Sequence, residues 1–224
     1  MSDAGELAQL REGAEALGAP LDAAQAVALL RLLDELTHWN RAYNLTAITD
    51  RGAMITQHLL DSLAGSRWVD GARVLDLGTG AGFPGLPLAL VHPQRQFTLL
   101  DGTGKKIRFV AHAARTLGLG NVEAVHGRAG EWQPAQAFDL VLARAVATTP
   151  ELAALAKPLL VPGGQLLAWK GQRREARAEL AQLTAPGRGQ GAGWADAHIE
   201  DVQVPGLAAG RCLVRLTLAG ASLN

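Results

Sequence analysis

VLDLGTGAGFPG, residues 74–85, runs a short apolar segment straight into Gly78, Gly80 and Gly82 and then into Pro84. A buried strand followed by a tight glycine turn and a helix is the simplest reading. Proline suits the first turn of a helix, and glycines let the backbone bend sharply and leave no Cβ in a ligand's way. In open α/β sheets a ligand lies beyond the carboxyl ends of the strands, beside such a first turn.

Outward from this stretch the same pattern repeats. RVLDL (73–77), FTLLD (97–101), VEAVH (122–126), FDLVLA (138–143) and QLLAWK (165–170) are short apolar runs. Helix-length stretches begin between them near 84, 104 and 149. Strand and helix in alternation predict a parallel sheet covered on both faces. Two further runs, about 198–204 and 211–218, are joined by a connection too short for a crossover helix, which requires an antiparallel pair. The expected fold is therefore α/β: a doubly wound, mostly parallel, seven-stranded, Rossmann-like sheet. Upstream, residues 4–17, 22–41 and about 51–64 read as helices. In the second, Ala26, Leu29, Leu30, Leu33, Leu36 and Trp39 recur at three- and four-residue spacing. Asp22 and Asp50 are expected N-caps, and 43–50 (YNLTAITD) a loop. The expected division is a helical extension over 1–66 and a ligand-binding domain over 67–224. PGRGQGAG (186–193) reads as a mobile loop.

The glycine register discriminates between ligands. A dinucleotide site requires G-x-G-x-x-G directly after the strand; counted from Gly78, the third glycine falls on Phe83. Counted from Gly80 the letters fit, with Gly82 and Gly85, but too far beyond the strand. Asp76 points the same way, because a carboxylate repels a pyrophosphate and attracts a cationic amino-acid moiety. S-adenosylmethionine carries an ammonium and a sulfonium and no phosphate. Asp101, 23 residues after Gly78 at the end of the second strand, is placed to accept hydrogen bonds from both ribose hydroxyls. That need is common to NAD and S-adenosylmethionine, and capping the helix near Gly104 is the other role open to Asp101.

Charge is balanced, with 21 basic and 21 acidic residues in 224, which argues mildly against a dedicated nucleic-acid binder. The distribution is uneven: the first forty residues are acidic, and basic residues cluster at Lys105, Lys106 and Arg108 and at Lys170, Arg173, Arg174 and Arg177. The single cysteine, Cys212, is expected to be a buried small hydrophobe, and no cysteine pair exists for a metal. We expect no metal, no signal peptide, no membrane span, a cytoplasmic location and a monomer.

HLLDSLAG (58–65), VLDLGTGAGFPGLPLAL (74–90), LLDGTGKKIRFV (99–110), GRAGEW (127–132), LARAVA (142–147) and LLAWKG (166–171) occur in this order after WNRAYNLTAITD (39–50). Together they resemble the bacterial small-subunit ribosomal RNA guanine-N7 methyltransferases, also called the glucose-inhibited division protein B family, from about residue 25 to the C-terminus. The resemblance implies a class I methyltransferase fold. It also implies methyl transfer from S-adenosylmethionine to N7 of guanine 527 in 16S ribosomal RNA, free or within the small ribosomal subunit. By position, Gly78 and Phe83 match the cofactor loop, Ala129 and Gly130 the pair bordering the adenine, and Arg144 the arginine after the fourth strand. The sequence departs from the family in having Gly102 where serine is usual and Gly130 where glutamate is usual, with Glu131 one place later. A backbone N–H of Gly130 or a shifted Glu131 are the two ways to supply that contact.

The expected cofactor-binding residues are Asp76, Gly78, Thr79, Gly80, Phe83, Asp101, Ala129, Gly130 and Arg144. Arg144 and Lys170 are expected to position the substrate. Guanine N7 has a free lone pair and no proton to remove, so no general base is expected, and His58 and His126 are read as hydrogen-bonding residues. Lys105, Lys106 and Arg108 are expected to meet RNA, since cations opening a helix oppose its dipole unless an anion is near. Helix-surface pairing with Glu175 and Glu179 is the plainer account of Arg173, Arg174 and Arg177. A same-fold methyltransferase acting on a small molecule or protein, and an RNA-binding module with a dead site, are the alternatives.

Overall fold

The computed structural model describes residues 3–184 and 193–220; the glycine-rich stretch falls, up to Gly193, outside the described residues. Seven strands form one sheet: β1 (Arg73–Leu77), β2 (Gln96–Asp101), β3 (Val122–His126), β4 (Phe138–Arg144), β5 (Leu160–Lys170), β6 (Trp194–Val202) and β7 (Arg211–Leu218). Their order is β3-β2-β1-β4-β5-β7-β6. The first five run parallel, and β7 lies antiparallel between β5 and β6. The expected doubly wound, mostly parallel seven-stranded sheet is thus present.

Strand order reverses at β1, with β2 on one side and β4 on the other. A crevice opens at such a switch, at the carboxyl ends of the strands. The antiparallel β7 brings its first residue, Arg211, to this same edge, beside the end of β5: Lys170 is paired with Cys212.

Alternation within the strands sends side chains to two faces. Val74, Phe97, Leu99, Leu140, Leu142, Leu167, Trp169 and Leu213 join one apolar cluster with the N-terminal helices. These are α1 (Asp3–Ala16) and α2 (Ala23–Tyr43), followed by α5 (Gly85–Val91) and α6 (Gly104–Thr116) further along the chain. Leu75, Leu77, Val141, Ala143, Leu166, Ala168 and Cys212 form the other cluster, beneath α7 (Thr149–Ala156) and α8 (Arg173–Thr184). The predicted apolar stripe of α2 is buried at Ala26, Leu29, Leu30, Leu33 and Leu36. Asp22 caps this helix with a capping box to Gln25, and Asp50 caps the next through the Ala53 N–H.

That third helix is not uniform. A short α3 (Arg51–Met54) passes into a π-helical turn, Ile55–Leu60, before α4 (Asp61–Leu63). One extra residue in a turn rotates the helix beyond it, and such turns recur at functional sites. Here the turn carries Gln57 and His58 and delivers Asp61 to the carboxyl edge of the sheet.

Candidate functional site

A cavity of about 550 Å³ opens at the carboxyl edge, within the range of small-molecule sites. Gly78, Thr79, Gly80, Ala81 and Phe83 from the glycine turn form one wall. Leu45, Thr46 and Ile48 from the loop after α2, with Gln57, His58 and Asp61, form another. Arg144, Trp169, Lys170 and Arg211 come from the ends of β4 and β5 and the start of β7, and Lys106 reaches in from α6.

The turn is built around two carboxylates. Asp76 is fully buried; its Oδ2 accepts the Thr79 hydroxyl at 2.5 Å and the Gly85 N–H at 2.8 Å, and its buried Oδ1 has no partner among the described residues. Burial raises its pKa to about 6, against the opposing pull of those two hydrogen bonds and of Arg144. Asp76 does not line the cavity; it braces the turn from behind, and its charge acts on a ligand only through the loop. Asp101 accepts the Gly80 N–H on Oδ2 at 2.9 Å and the Thr103 N–H on Oδ1 at 2.7 Å. The cap of α6 is Thr103, so Asp101 holds the entry to that helix and the glycine turn together. Gly80 has φ +61°, and a Cβ there would meet nothing within 4 Å: its face is open toward the cavity. Gly78, at φ +70°, could not carry a side chain without striking Val146.

The cationic end of the cavity is organised by Asp61. Its carboxylate, only 2% exposed, accepts Arg144 Nη1 at 2.8 Å, Arg211 Nε at 2.6 Å and Arg211 Nη2 at 3.1 Å. Arg144 Nη1 also donates to the Gln57 carbonyl at 2.8 Å, and the guanidinium stands 5.8 Å from the Phe83 ring centre. Trp169 Nε1 donates to the Asp61 carbonyl at 2.7 Å. Ala145, directly after Arg144, has φ +54°, a backbone conformation costing an alanine on the order of 1 kcal/mol.

His58 stacks on Phe83 with ring centres 4.7 Å apart. One ring nitrogen, Nε2, is 3.0 Å from the Thr46 hydroxyl and the other, Nδ1, is buried with no partner among the described residues. Burial, and then Arg144, lowers its pKa to about 4, so it is neutral at pH 7. His126 lies outside the cavity, with Nε2 3.1 Å from the Gly102 carbonyl.

The other expected site residues fall in varied places. Lys170 lines the cavity, but its ammonium is engaged by the Ala147 carbonyl at 2.7 Å and Glu179 at 2.8 Å. Lys105 donates to the Tyr43 carbonyl at the end of α2 at 2.7 Å; it therefore sits at the favourable end of one helix dipole while opening another helix. Arg108 lies 5.9 Å from the Tyr43 ring centre. Ala129 is half-buried and Gly130 exposed, with φ +87°, and neither is in the cavity lining. Glu131 is exposed, 4.0 Å from Arg128. Arg173 pairs across to Asp201 at 2.6 Å and Glu179 turns to Lys170, so the expected pairing along the helix surface gives way to contacts between elements. Among the described residues no cluster of metal-ligating side chains occurs.

Asp61, Gln57 and Arg211 are the site residues that the sequence reading missed. An aspartate within the apolar helix LLDSLAG is a signal in hindsight, since a buried carboxylate demands partners. Arg211 offered no such signal. The rule that directs attention to the last residue of each parallel strand overlooks the first residue of an antiparallel one.

The family model for rRNA small subunit methyltransferase G matches residues 25–186. The ribosomal RNA small subunit methyltransferase G of Methylococcus capsulatus is 46% identical over 211 residues, covering 94% of this chain and 98% of its own. That of Chromohalobacter salexigens is 44% identical over 215 residues, covering 95% and 97%. Among solved structures, an O-methyltransferase from Bacillus cereus, in complex with SAH, aligns with TM-score 0.59 at 16% identity over 93% of this chain and 96% of its own. An S-adenosylmethionine-dependent O-methyltransferase from Thermotoga maritima aligns with TM-score 0.60 at 15% identity, covering 84% and 71%. These two likenesses show the fold, that of class I methyltransferases.

Proposed function

The chain belongs to the rRNA small subunit methyltransferase G family, and from that premise we propose that it transfers a methyl group from S-adenosylmethionine to N7 of a guanine, position 527, in 16S ribosomal RNA. The observation that carries the reading is the convergence of the glycine turn, open at Gly80, and of Arg144, Lys170, Arg211 and Lys106 on one cavity.

The residues present fit the cofactor. Gly80 leaves open space where a side chain would stand, and Asp101, one hydrogen bond away, keeps lone pairs for the ribose hydroxyls. Asp76 and Thr79 hold the turn in shape, and Phe83 forms part of the wall. We keep Ala129 and Gly130 as the adenine border, with a backbone N–H in place of the family's glutamate. When bound, S-adenosylmethionine supplies an activated methyl group and departs as a neutral leaving group.

The protein's own task is then alignment. N7 carries no proton, so no side chain has to remove one. His58 is neutral at pH 7 and turned to Thr46, which suits packing behind Phe83. Arg144 supplies guanidinium donors for a phosphate or for the guanine O6 while N7 stays free. Lys170 braces the wall beside it through Glu179. Lys106, on the cavity rim, and Arg108, on the exposed face of α6, extend the cationic surface for RNA, with Lys105 fixing α2 against it. We propose a monomer acting in the cytoplasm; among the described residues no helix is long and apolar enough to cross a membrane.

The test is incubation with methyl-labelled S-adenosylmethionine and either free 16S rRNA or small ribosomal subunits, followed by mapping of the label. Label at N7 of guanine 527 is the expected result. Label on a protein or small molecule, with none on rRNA, would overturn the reading in favour of another substrate on the same fold.

A further inference from the structure

Asp61 sits between two arginines whose hydrogen bonding differs. Arg211 grips the carboxylate with two nitrogens, Nε at 2.6 Å and Nη2 at 3.1 Å, and spends the third, Nη1, on the Lys170 carbonyl at 3.1 Å. Arg144 gives only Nη1, shared between Asp61 and the Gln57 carbonyl. For its Nε and Nη2 no protein partner is found among the described residues. Both side chains line the cavity, 16% and 20% exposed.

The charge count decides what this arrangement does. One carboxylate against one arginine would be neutral, and a neutral pair attracts an anion weakly. One carboxylate against two arginines leaves one positive charge. A two-nitrogen grip is the stronger way for a guanidinium to neutralise a carboxylate, and Arg211 is the residue that has it.

We propose that Arg211 is a positioning residue that neutralises Asp61, so that Asp61 and Gln57 fix Arg144 by one nitrogen while its remaining donors and its charge stay directed at an oxyanion in the cavity. The oxyanion is a phosphodiester of the RNA or the carboxylate of the cofactor; both present a pair of acceptor oxygens that a guanidinium can bridge. The topology explains the arrangement. Only a strand running against its neighbours brings its first residue to the carboxyl edge, so β7 adds a second cation there without lengthening any loop. This inference rests on the methyltransferase reading above.

A double-variant comparison tests it. Arg211→Gln leaves the Asp61–Arg144 pair neutral, and should weaken binding of the oxyanion's owner on the order of tenfold, the loss of about one charge-assisted interaction. Asp61→Asn in the same chain restores one net charge on Arg144 and should recover most of that loss. Asp61→Asn with Arg144→Gln carries the same net charge, now on Arg211, and should stay weak. Binding of 16S rRNA is measured against salt, and binding of S-adenosylhomocysteine by calorimetry. If the anion is a phosphate, the slope of log K against log salt flattens in Arg211→Gln by about 0.7–0.9, one phosphate contact, and returns in Asp61→Asn/Arg211→Gln. If it is the cofactor's carboxylate, the calorimetric constant follows that order and the RNA slope does not.

Equal affinities for the two double variants, in both assays, overturn the proposal. That comparison stands even where Arg211→Gln alone does not fold, because neither double variant holds a bare carboxylate. Wild-type protein that methylates rRNA while the double variants bind alike overturns this assignment only. Wild-type protein that methylates no rRNA overturns the reading on which it rests, and this inference with it.

Discussion

Asp101 and Gly80 are joined by one hydrogen bond, from the Gly80 N–H to Asp101 Oδ2 at 2.9 Å, which ties the end of β2 to the open face of the glycine turn. The other oxygen holds the Thr103 N–H. Asp101→Ala should therefore do two things. Affinity for S-adenosylhomocysteine should fall by on the order of 1.5–3 kcal/mol, the value of hydrogen bonds to a charged group. Melting should drop by only a few degrees, since the freed N–H groups lie at the edge of the sheet. Calorimetric titration beside thermal melting checks both. Normal affinity with a much lower melting temperature would make Asp101 a brace and nothing more.

The sheet was legible in the sequence because strands buried on both faces read as continuous apolar runs. Arg73–Leu77, Val122–His126 and Arg211–Leu218 match the expected bounds. Where the reading fell short, backbone chemistry hid the strand. β5 starts at Leu160 rather than 165 because Pro162, Gly163 and Gly164 look like a turn, and the register against β4 shifts at that place. β6 starts at Trp194 rather than 198; none of its residues is fully buried, so its first half carries no apolar signal. Of the site, the glycine turn, Asp101 and Arg144 were visible as residues attached to strand ends. Asp61 and Arg211 were not, because their meaning lies in each other, 150 residues apart. Lys170 was visible for its position, yet its partner Glu179 is set by the docking of α8, which no local pattern encodes.

Gly65 lies against Trp169: a Cβ there would stand 2.4 Å from the indole ring. Trp169 is 2% exposed and its Nε1 donates to the Asp61 carbonyl. Gly65→Ala should force the indole away and cost about 1–3 kcal/mol, as overpacking does, with a shift in tryptophan fluorescence. rRNA binding should fall too, because Asp61 moves with the ring. An unchanged melting curve and emission spectrum would show that the contact yields freely.

Two buried groups behind the cavity titrate in opposite senses. His58 is lowered from 6.5 to about 4 by burial and then Arg144. Between those values the unfolded chain holds a proton that the folded chain lacks, so its contribution to stability is lost as pH falls from 6.5 to 4. Asp76 is raised from 3.8 to about 6, burial outweighing its hydrogen bonds. There the folded chain holds the extra proton, and its contribution is lost as pH rises from 3.8 to 6. The two nearly cancel in the wild type, each being on the order of 3 kcal/mol. The melting temperature of His58→Gln relative to wild type should therefore climb as pH falls from 7 to 4. That of Asp76→Asn relative to wild type should climb as pH rises from 4 to 6.5. Each trend should span on the order of 5–10 °C. Differences that stay flat across the range would show that neither group is shifted.

Arg144→Ala should damage methyl transfer far more than folding. Among the described residues the side chain is tied at one nitrogen only, to Gln57 and Asp61, and its loss leaves Asp61 still gripped by two nitrogens of Arg211. No unpartnered buried carboxylate is created, so the large penalty for breaking a buried ion pair does not apply. Destabilisation of about 1–2 kcal/mol is expected, from one charge-assisted hydrogen bond. Turnover on rRNA should fall on the order of a hundredfold, the usual consequence of a misplaced reacting group. Arg144→Lys should recover only part of it, because a single ammonium cannot hold Asp61 and Gln57 while also presenting a planar pair of donors to an oxyanion. Single-turnover methylation of small ribosomal subunits, run beside thermal melting for wild type and both variants, separates these effects. Full turnover in Arg144→Ala would remove the arginine from substrate positioning and leave Lys106, a cation at the cavity for which no side-chain partner is found among the described residues, as the residue to test next.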